Sequence, residues 1–451
     1  MVCALVALAP AQAQADGIAI IGGSPRAIGR AGAATVGDDG GGALLINPAA
    51  MARRDTTRGQ VGVAVIDDAV HWQSDSEAAP LSSGQAGSRL APLAAAMGAL
   101  GNWIIGAGVM TAAVSDRSLS HPRAGAMRDD LGTAFDYRYA GIAGSYRRDT
   151  LAVGVARRIG DSLAFGLSLG ASRVSVTEHR RIWAGFADRE MPGDPVDDVD
   201  LEFAATDRFA ASAIAGLLYA PDDAQIELGV SVAWARSVRL EGSAAALGGP
   251  PAGPAVVYTY SPHASLEVRQ PVTVRAGGRY VGERVVAELD GDLWLASAAA
   301  ASAIWRINGI RVADSSSSQQ TDLLRLPSRI AHRTHVAMRA AVDVALIPGF
   351  LWATGGYALS NLATPAAQLS PSFGDLGGQT LGLGLEATAG GFTVTLGWSR
   401  TWSLATRAPT ALQLDNPFVA GDGPVSPGTY DGSVDQVGLL LEGELSHFGA
   451  P

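Results

Sequence analysis

The stretch that decides the fold is DGIAIIGGSPRAIGRAGAATVGDDGGGALLINPAAMARR, residues 16–54. It is rich in glycine, and it has neither the apolar period of a helix nor an alternating run long enough to stand alone as a strand. Other parts of the chain must therefore hold it. We predict that residues 16–56 form a hatch inside a structure that residues 57–451 build.

The chain begins with MVCALVALAPAQAQA, an apolar run that ends in the small-x-small pattern Ala13-Gln14-Ala15. This pattern is typical of a secretory signal peptide, so we predict that residues 1–15 direct export. Cys3 is the only cysteine, and it lies in this segment, so we expect no disulfide in the mature chain. The net charge of −10 argues against a nucleic-acid surface, which needs a basic face.

Residues 90–115 carry no charge and are long enough to cross a bilayer as a helix. Pro92 and four glycines interrupt them, which favours two strands joined at Gly101 and Asn102. Along the whole chain, six short turns alternate with seven long polar connections, and together they join fourteen strands. This alternation is typical of a bacterial outer-membrane barrel. We predict an all-β fold, a transmembrane antiparallel β-barrel of about 14 strands.

The predicted strands include 207–220, 225–241, 285–302 and 434–448. The second of these alternates strictly, because Val230, Val232 and Trp234 share one face while polar or small residues occupy the other. A soluble sandwich would also use such faces. The number of strands, the export signal and a mean hydropathy of +0.17 favour a lipid-facing barrel.

Charged residues follow the eighth, ninth and tenth predicted strands on the face opposite their aliphatic residues. A charge near the middle of the lipid face costs about 2–4 kcal/mol, so these side chains should point into the lumen. We expect a ladder of ion pairs that anchors the hatch, with Asp290 beside Arg275 or Arg333; a polar substrate path is the alternative. The members of this predicted ladder are Arg275, Arg279, Glu288, Asp290, Asp292, Arg333 and Arg339.

Catalysis and metal binding find little support in the sequence. His332 and His335 are three residues apart, which places them on opposite faces of a strand. The pattern G-x-S-x-G occurs once, at residues 166–170, but it lies inside the predicted strand 162–182 and not at the strand-to-helix turn that a nucleophile motif occupies. The acidic residues between 188 and 202 lack EF-hand spacing, so we interpret them as a solvated loop rather than a site for cations that bridge lipopolysaccharide. We therefore predict no catalytic residue, no metal site and no cofactor.

Residues 22–51 resemble the hatch of the FadL family of outer-membrane transporters for long-chain fatty acids and other hydrophobic compounds. The resemblance rests on the Gly-x-x-Gly run at 29–32, the acidic pair Asp38 and Asp39, and the motif Asn47-Pro48-Ala49 before the first strand. It implies an outer-membrane location and gating roles for these hatch residues. It also implies insertion by the barrel-assembly machinery, and contact with membrane lipid and lipopolysaccharide.

The family resemblance further implies passive uptake of a hydrophobic compound, which leaves through a lateral gap at a kinked third strand. Gly106 and Gly108 would permit that kink. Apolar loop residues for the capture of a substrate are few, and the candidates are Trp305, Leu412 and Phe418. Short polar loops keep a second hypothesis open, a shuttle for surface proteins or a subunit of a secretion machine. An outer-membrane hydrolase is the third hypothesis.

Overall fold

The structure is a computed structural model that describes residues 23–54, 56–74, 82–85, 88–119, 139–185, 197–247, 255–314, 319–403, 405–408 and 428–444. The predicted signal peptide and the candidate residues Leu412 and Phe418 lie outside these residues. No helix in the described part of the chain is both long and apolar enough to cross a bilayer.

The described strands form one closed antiparallel sheet, which confirms the predicted 14-strand barrel. Its strands are β1 (Arg58–Ser74), β2 (Ser82–Gln85 and Arg89–Leu100), β3 (Trp103–Ser118), β4 (Ala143–Ile159), β5 (Leu163–Trp183), β6 (Asp198–Tyr219), β7 (Ile226–Ala235 and Val238–Leu247), β8 (Ala255–Val268 and Val272–Val281), β9 (Val285–Leu295 and Ala303–Asp314), β10 (Gln320–Asp322, Arg325–Ser328 and His335–Ile347), β11 (Leu351–Ser360), β12 (Gly378–Ala389), β13 (Phe392–Trp402 and Thr406–Ala408) and β14 (Gly428–Glu444).

Closure is made by β1, which pairs with β14 from Arg58 opposite Glu444 to Ser74 opposite Gly428. On its other edge β1 pairs with β2. The short turns lie at the same end as Arg58, and in barrels of this type that end faces the periplasm. The longer connections therefore face the cell exterior.

Along each strand, residues that face the lumen alternate with residues that face outward. In the last segment of β10, buried and exposed residues alternate from His335 onward. Val336 and Met338 are about half exposed on the outside, whereas Ala337 and Arg339 are buried in the lumen. The same pattern places Trp234 of β7 outside and Ser231 inside. An apolar outer face buries side chains in lipid, as a membrane barrel requires.

Several predicted strand ends were wrong at the exterior side. β6 begins at Asp198 rather than at 207, β9 continues through Ala303–Asp314, and β14 begins at Gly428 rather than at 434. These extensions rise beyond the apolar band, and their outer faces carry polar residues such as Glu202 and Arg306. Water faces such residues, so the apolar alternation that marks a strand in lipid is absent there.

The exterior mouth is filled by two sets of apolar residues. Inward side chains of β5 to β10, including Phe203 and Trp305, pack into one buried core. The connection between β11 and β12 was predicted to be a polar loop over residues 363–376, but its Leu369 and Leu376 are buried with Leu362 and Trp72 in a second cluster. This connection therefore folds inward and helps to roof the lumen.

The described part of the hatch, residues 23–54, lies inside the barrel. It contains one short helix, α1 (Pro25–Gly29), and two 3-10 turns, Gly41–Leu44 and Pro48–Arg53. Ser24 caps the first and Asn47 caps the last with a side-chain oxygen that accepts a backbone N–H, and proline follows each cap. Short elements of this size are unstable alone, so the wall must hold them.

Glycines on the inner wall let the hatch backbone approach closely. On most strands a side chain added at one glycine would collide with the hatch or press tightly against it. These glycines are Gly62, Gly106, Gly154, Gly166, Gly216, Gly229, Gly277, Gly356, Gly382, Gly397 and Gly438. They come from eleven of the fourteen strands. The hatch is therefore fitted to the wall on nearly every side.

Two adjacent glycines of β11 test this fit. A Cβ at Gly356 would meet the backbone of Arg30 and Ala31, whereas a Cβ at Gly355 would meet nothing within 4 Å. We expect Gly356→Ala to displace the hatch at a cost of about 1–3 kcal/mol, as overpacking does. Ion conductance in planar bilayers should then rise. Gly355→Ala is the matched control, and equal conductance in the two variants would contradict a close fit.

Candidate functional site

Two carboxylates of β9 bind the hatch backbone. Glu288 Oε1 accepts from the N–H groups of Val36 (2.7 Å) and Gly37 (3.1 Å). Asp290 Oδ2 accepts from those of Ala34 (2.8 Å) and Thr35 (2.9 Å). Both side chains are buried, so each bond supplies an acceptor to a backbone donor that water does not reach. Four consecutive residues of the hatch are thereby anchored to one strand.

Arg30 of the hatch neutralises part of this buried negative charge. Its Nη2 lies 2.6 Å from Glu288 Oε2 and 3.5 Å from Asp343 Oδ2 on β10. A buried carboxylate is costly unless it is paired and hydrogen-bonded, and Glu288 is both. The salt bridge thus connects the hatch to β9 and β10 together.

The predicted charge ladder points into the lumen, but its pairing differs from the expectation. Asp290 binds the hatch backbone instead of Arg275 or Arg333. Arg333 lies between two segments of β10, outside the regular strand, and its Nε donates to Leu362 O at 2.7 Å. Charge alternation identified the strand face, but it carried no information about backbone donors from residues 34–37.

The other ladder members form smaller groups. Asp292 lies 3.1 Å from Arg339, and Arg275 Nε is 4.0 Å from the same carboxylate. Arg279 approaches Glu227 of β7 at 3.3 Å. Glu227 also accepts two bonds from Arg53 of the hatch, at 2.9 and 2.6 Å. The hatch is therefore anchored at Glu227 and at the ladder residues Glu288 and Asp290. Asp292 instead links neighbouring strands of the wall to each other.

The motif Asn47-Pro48-Ala49 joins the hatch to β6. Asn47 Nδ2 donates to Thr35 O (2.9 Å) and Leu217 O (3.3 Å), and its Oδ1 accepts from Ala49 N (3.2 Å). Pro48 then begins the last turn of the hatch. These bonds give the motif a structural role at the wall, and its gating role stays a prediction.

The acidic pair lies in two different environments. Asp38 accepts from Ser24 Oγ (2.7 Å) and Gly40 N (3.0 Å), and burial raises the pKa of its carboxyl group. Asp39 lies 2.7 Å from Arg54 and 3.5 Å from Arg26. Burial opposes ionisation of Asp39, but these two guanidinium groups outweigh it and lower its pKa to about 2.

A cavity of about 290 Å³ lies directly above the hatch. Leu45 and Ile46 of the hatch form its floor, and Ile330 and Phe373 from the exterior connections form its roof. Its wall and polar lining include Ala112, Ala113, Arg148, Ile214, Arg275, Trp294, His332, His335 and Asp375. The cavity combines an apolar surface with a few polar groups, as small-molecule sites do.

The predicted ligand residue Trp305 does not line this cavity. It is fully buried, stacks on Phe203 at 4.7 Å and donates from Nε1 to Glu178 at 2.8 Å. Neither Ile330 nor Phe373 was predicted to line a cavity, because Ile330 was placed in the predicted strand 329–346 and Phe373 in a connection interpreted as polar. The signal for Phe373 was the set of leucines around it, at 362, 369 and 376, which is unusual for a solvated loop.

The third strand is irregular beside this cavity. β2 pairs with β3 only from Leu93 opposite Met110 to Leu100 opposite Trp103, although β2 itself continues to Arg89. On its other edge, the pairing of β3 with β4 shifts register between Thr111 and Ala113. The seam between β2 and β3 therefore opens above Met110, and Ala112 and Ala113 line the cavity at that point.

The irregularity is not where the glycines predicted it. Gly106 and Gly108 lie within the regular ladder of β2 and β3. Gly106 gives room to Met51 of the hatch, and Gly108 gives room to Met110 and Ala95. Outside the seam, Arg147 Nη1 donates to Leu90 O at 3.1 Å and bridges the open part.

A family model described as outer membrane protein transport protein (OMPP1/FadL/TodX) matches residues 6–281. The chain belongs to this family. A search of curated proteins gave no match. Members of the FadL/TodX family are outer-membrane transport channels, so this chain is a transport protein of the outer membrane and not an enzyme.

Solved structures of the FadL/TodX type share the fold at low sequence identity. A Pseudomonas aeruginosa FadL homologue is 13% identical with a TM-score of 0.74, covering 95% of this chain and 100% of that chain. The Pseudomonas putida toluene transporter TodX is 14% identical with a TM-score of 0.65, covering 95% and 100%. The Ralstonia pickettii toluene transporter TbuX is 14% identical with a TM-score of 0.63, covering 93% and 98%.

We expect removal of the Asp290 anchor to open an ion leak past the hatch. Asp290→Ala leaves the N–H groups of Ala34 and Thr35 without their acceptor, and each buried donor left unsatisfied costs about 1–3 kcal/mol. We expect bilayer conductance to rise. Asp292→Ala is the control, because it removes the same charge from the next inward position but leaves the hatch contacts intact. It should lower the melting temperature without opening a leak, and equal leaks would contradict the anchor.

The ionisation of Asp39 should make the stability of the seated hatch depend on pH. Its folded pKa of about 2 lies below the usual 3.8, so ionised Asp39 stabilises the seated hatch above about pH 4. This contribution is lost as the pH falls through about 2. We expect conductance to increase over that window in the wild-type protein. Asp39→Asn should leak already at neutral pH and lack the acid-induced step, and an unchanged pH profile would contradict this role.

Proposed function

We propose that this FadL-type barrel is a passive importer of hydrophobic compounds. The substrate enters the cavity above the hatch from the exterior and leaves sideways through the open seam between β2 and β3. The observation that carries the proposal is the contact between the two, because Ala112 and Ala113 line the cavity where the ladder of β3 is disrupted. Movement down a concentration gradient needs no energy source.

A lateral exit suits an apolar cargo. The hatch closes the lumen below the cavity, and its anchors at Glu288 and Asp290 are buried. A route through the seam delivers the cargo to the membrane interior without breaking those anchors. An apolar molecule is more stable in lipid than in the polar lumen, so the exit is favourable by the hydrophobic effect.

The lining of the cavity supports an amphipathic substrate with an anionic end, such as a long-chain fatty acid. Ile46, Ile214 and Phe373 offer an apolar surface for the body of the molecule. Arg148 and Arg275 place two guanidinium groups on the same cavity. A volume of about 290 Å³ accommodates part of a long acyl chain, with the remainder directed toward the seam.

Filling the cavity at the seam tests the proposal. Ala113 is buried and lines the cavity, whereas Ala107 of the same strand faces lipid. We expect Ala113→Trp to reduce uptake of labelled oleate by about tenfold in cells that lack other importers, because the indole occupies the cavity. Ala107→Trp should transport normally. Conductance of both variants should remain at the wild-type level.

Uptake of labelled toluene in the same cells separates the substrate classes. Transport of oleate alone supports the role of the two arginines, and transport of toluene alone would exclude the acidic substrate while keeping the importer. Normal uptake of both compounds by Ala113→Trp would contradict passage through this cavity.

A further inference from the structure

The outer wall of β7 to β10 carries an arginine-lined groove of about 470 Å³ on the exterior side. Each of the four strands contributes one exposed arginine to it: Arg239, Arg269, Arg306 and Arg325. The residues that alternate with them, such as Leu240, Leu266 and Trp305, point inward into the buried core. The arginines therefore face away from the lumen and from the transport cavity.

The register of the strands places like charges directly opposite each other. Arg306 of β9 pairs with Arg325 of β10, and on its other side with Ser265 of β8. Like charges in directly opposed positions destabilise a sheet. A carboxylate nearby would relieve the repulsion, but the cross-strand neighbours of Arg306 offer none.

The protein leaves these guanidinium groups without partners. Within the described residues, none of the four side chains forms a hydrogen bond or an ion pair, whereas nearby Arg311 lies 2.7 Å from Asp322. Two carboxylates line the groove: Glu241 is 3.2 Å from His263, and Glu267 is directly opposite Arg239 in the strand register but forms no ion pair with it. The groove thus has an excess of two positive charges, in a chain whose net charge is −10.

The height of the groove matches the polar layer of a membrane. On β7 the outward apolar run ends at Trp234, an aromatic residue of the kind that marks membrane interfaces. Arg239 follows five positions later, on the exterior side of the break between the two segments of β7. The arginines therefore lie just outside the apolar band, where lipid headgroups surround a barrel.

We propose that this groove binds the phosphate groups of an anionic outer-leaflet lipid of the lipid A class. Arginine forms bidentate bonds with phosphate, and two opposed arginines present four such donor edges to one headgroup. The bound phosphate neutralises the pair formed by Arg306 and Arg325. The acyl chains of the same lipid then lie along the apolar outer face below Trp234.

Binding to the purified full-length protein in detergent tests the site. The probes are lipid A with its phosphates, dephosphorylated lipid A and inorganic phosphate, and native mass spectrometry reports the bound fraction. We expect the double variant Arg306→Ala, Arg325→Ala to bind phosphorylated lipid A about tenfold or more weakly than the wild type. Arg284→Ala is the matched control, because Arg284 is equally exposed but lies in a periplasmic turn. Its effect should stay below about twofold.

Melting temperature in lipid-free detergent separates a lipid site from a structural role. Removal of two opposed positive charges should leave the melting temperature unchanged or raise it, and a clear fall would overturn the proposal in favour of a structural role. Equal affinity of the wild type for dephosphorylated lipid A would overturn it as well. Equal affinity for inorganic phosphate would replace the lipid with a free anion, and an equal loss in Arg284→Ala would show a nonspecific charge effect.

Discussion

Two buried carboxylates of β9, Glu288 and Asp290, hold the backbone of the hatch. The barrel strands use most of their N–H and C=O groups in the ladder, so the wall offers mainly side chains to a segment inside it. The hatch has little regular structure, and its N–H groups at residues 34–37 need acceptors that water does not supply. The two carboxylates meet that need, and Arg30 offsets the charge that they bring into the lumen.

The anchors and the inner-wall glycines together decide where a substrate can pass. Glycines on eleven strands bring the wall into contact with the hatch, so little free space remains beside it. The free volume lies above the hatch and reaches the wall where β3 is irregular. The tightly packed hatch closes the direct path through the lumen. The disrupted ladder of β3 therefore leaves a lateral path through the wall for the substrate.

The sequence predicted the architecture because lipid imposes a strong pattern. Outward residues such as Val230 and Met338 must be apolar, and the alternation survives wherever a strand crosses the membrane. The same pattern fails beyond the membrane, which explains the wrong ends of β6, β9 and β14. It also cannot reveal what an inward residue meets. Asp290 was correctly placed in the lumen, yet its partners are backbone atoms of Ala34 and Thr35, which carry no signature in the side-chain sequence.

The two proposed sites lie on different sides of the barrel. The seam is between β2 and β3, and the arginine-lined groove is on β7 to β10, with at least three strands between them in either direction around the sheet. A lipid held at the groove would therefore not cover the seam. It would instead secure the side of the wall where β7, β8, β9 and β10 are each broken into segments. The barrel thus separates a face stabilised by lipid from a face that opens to it.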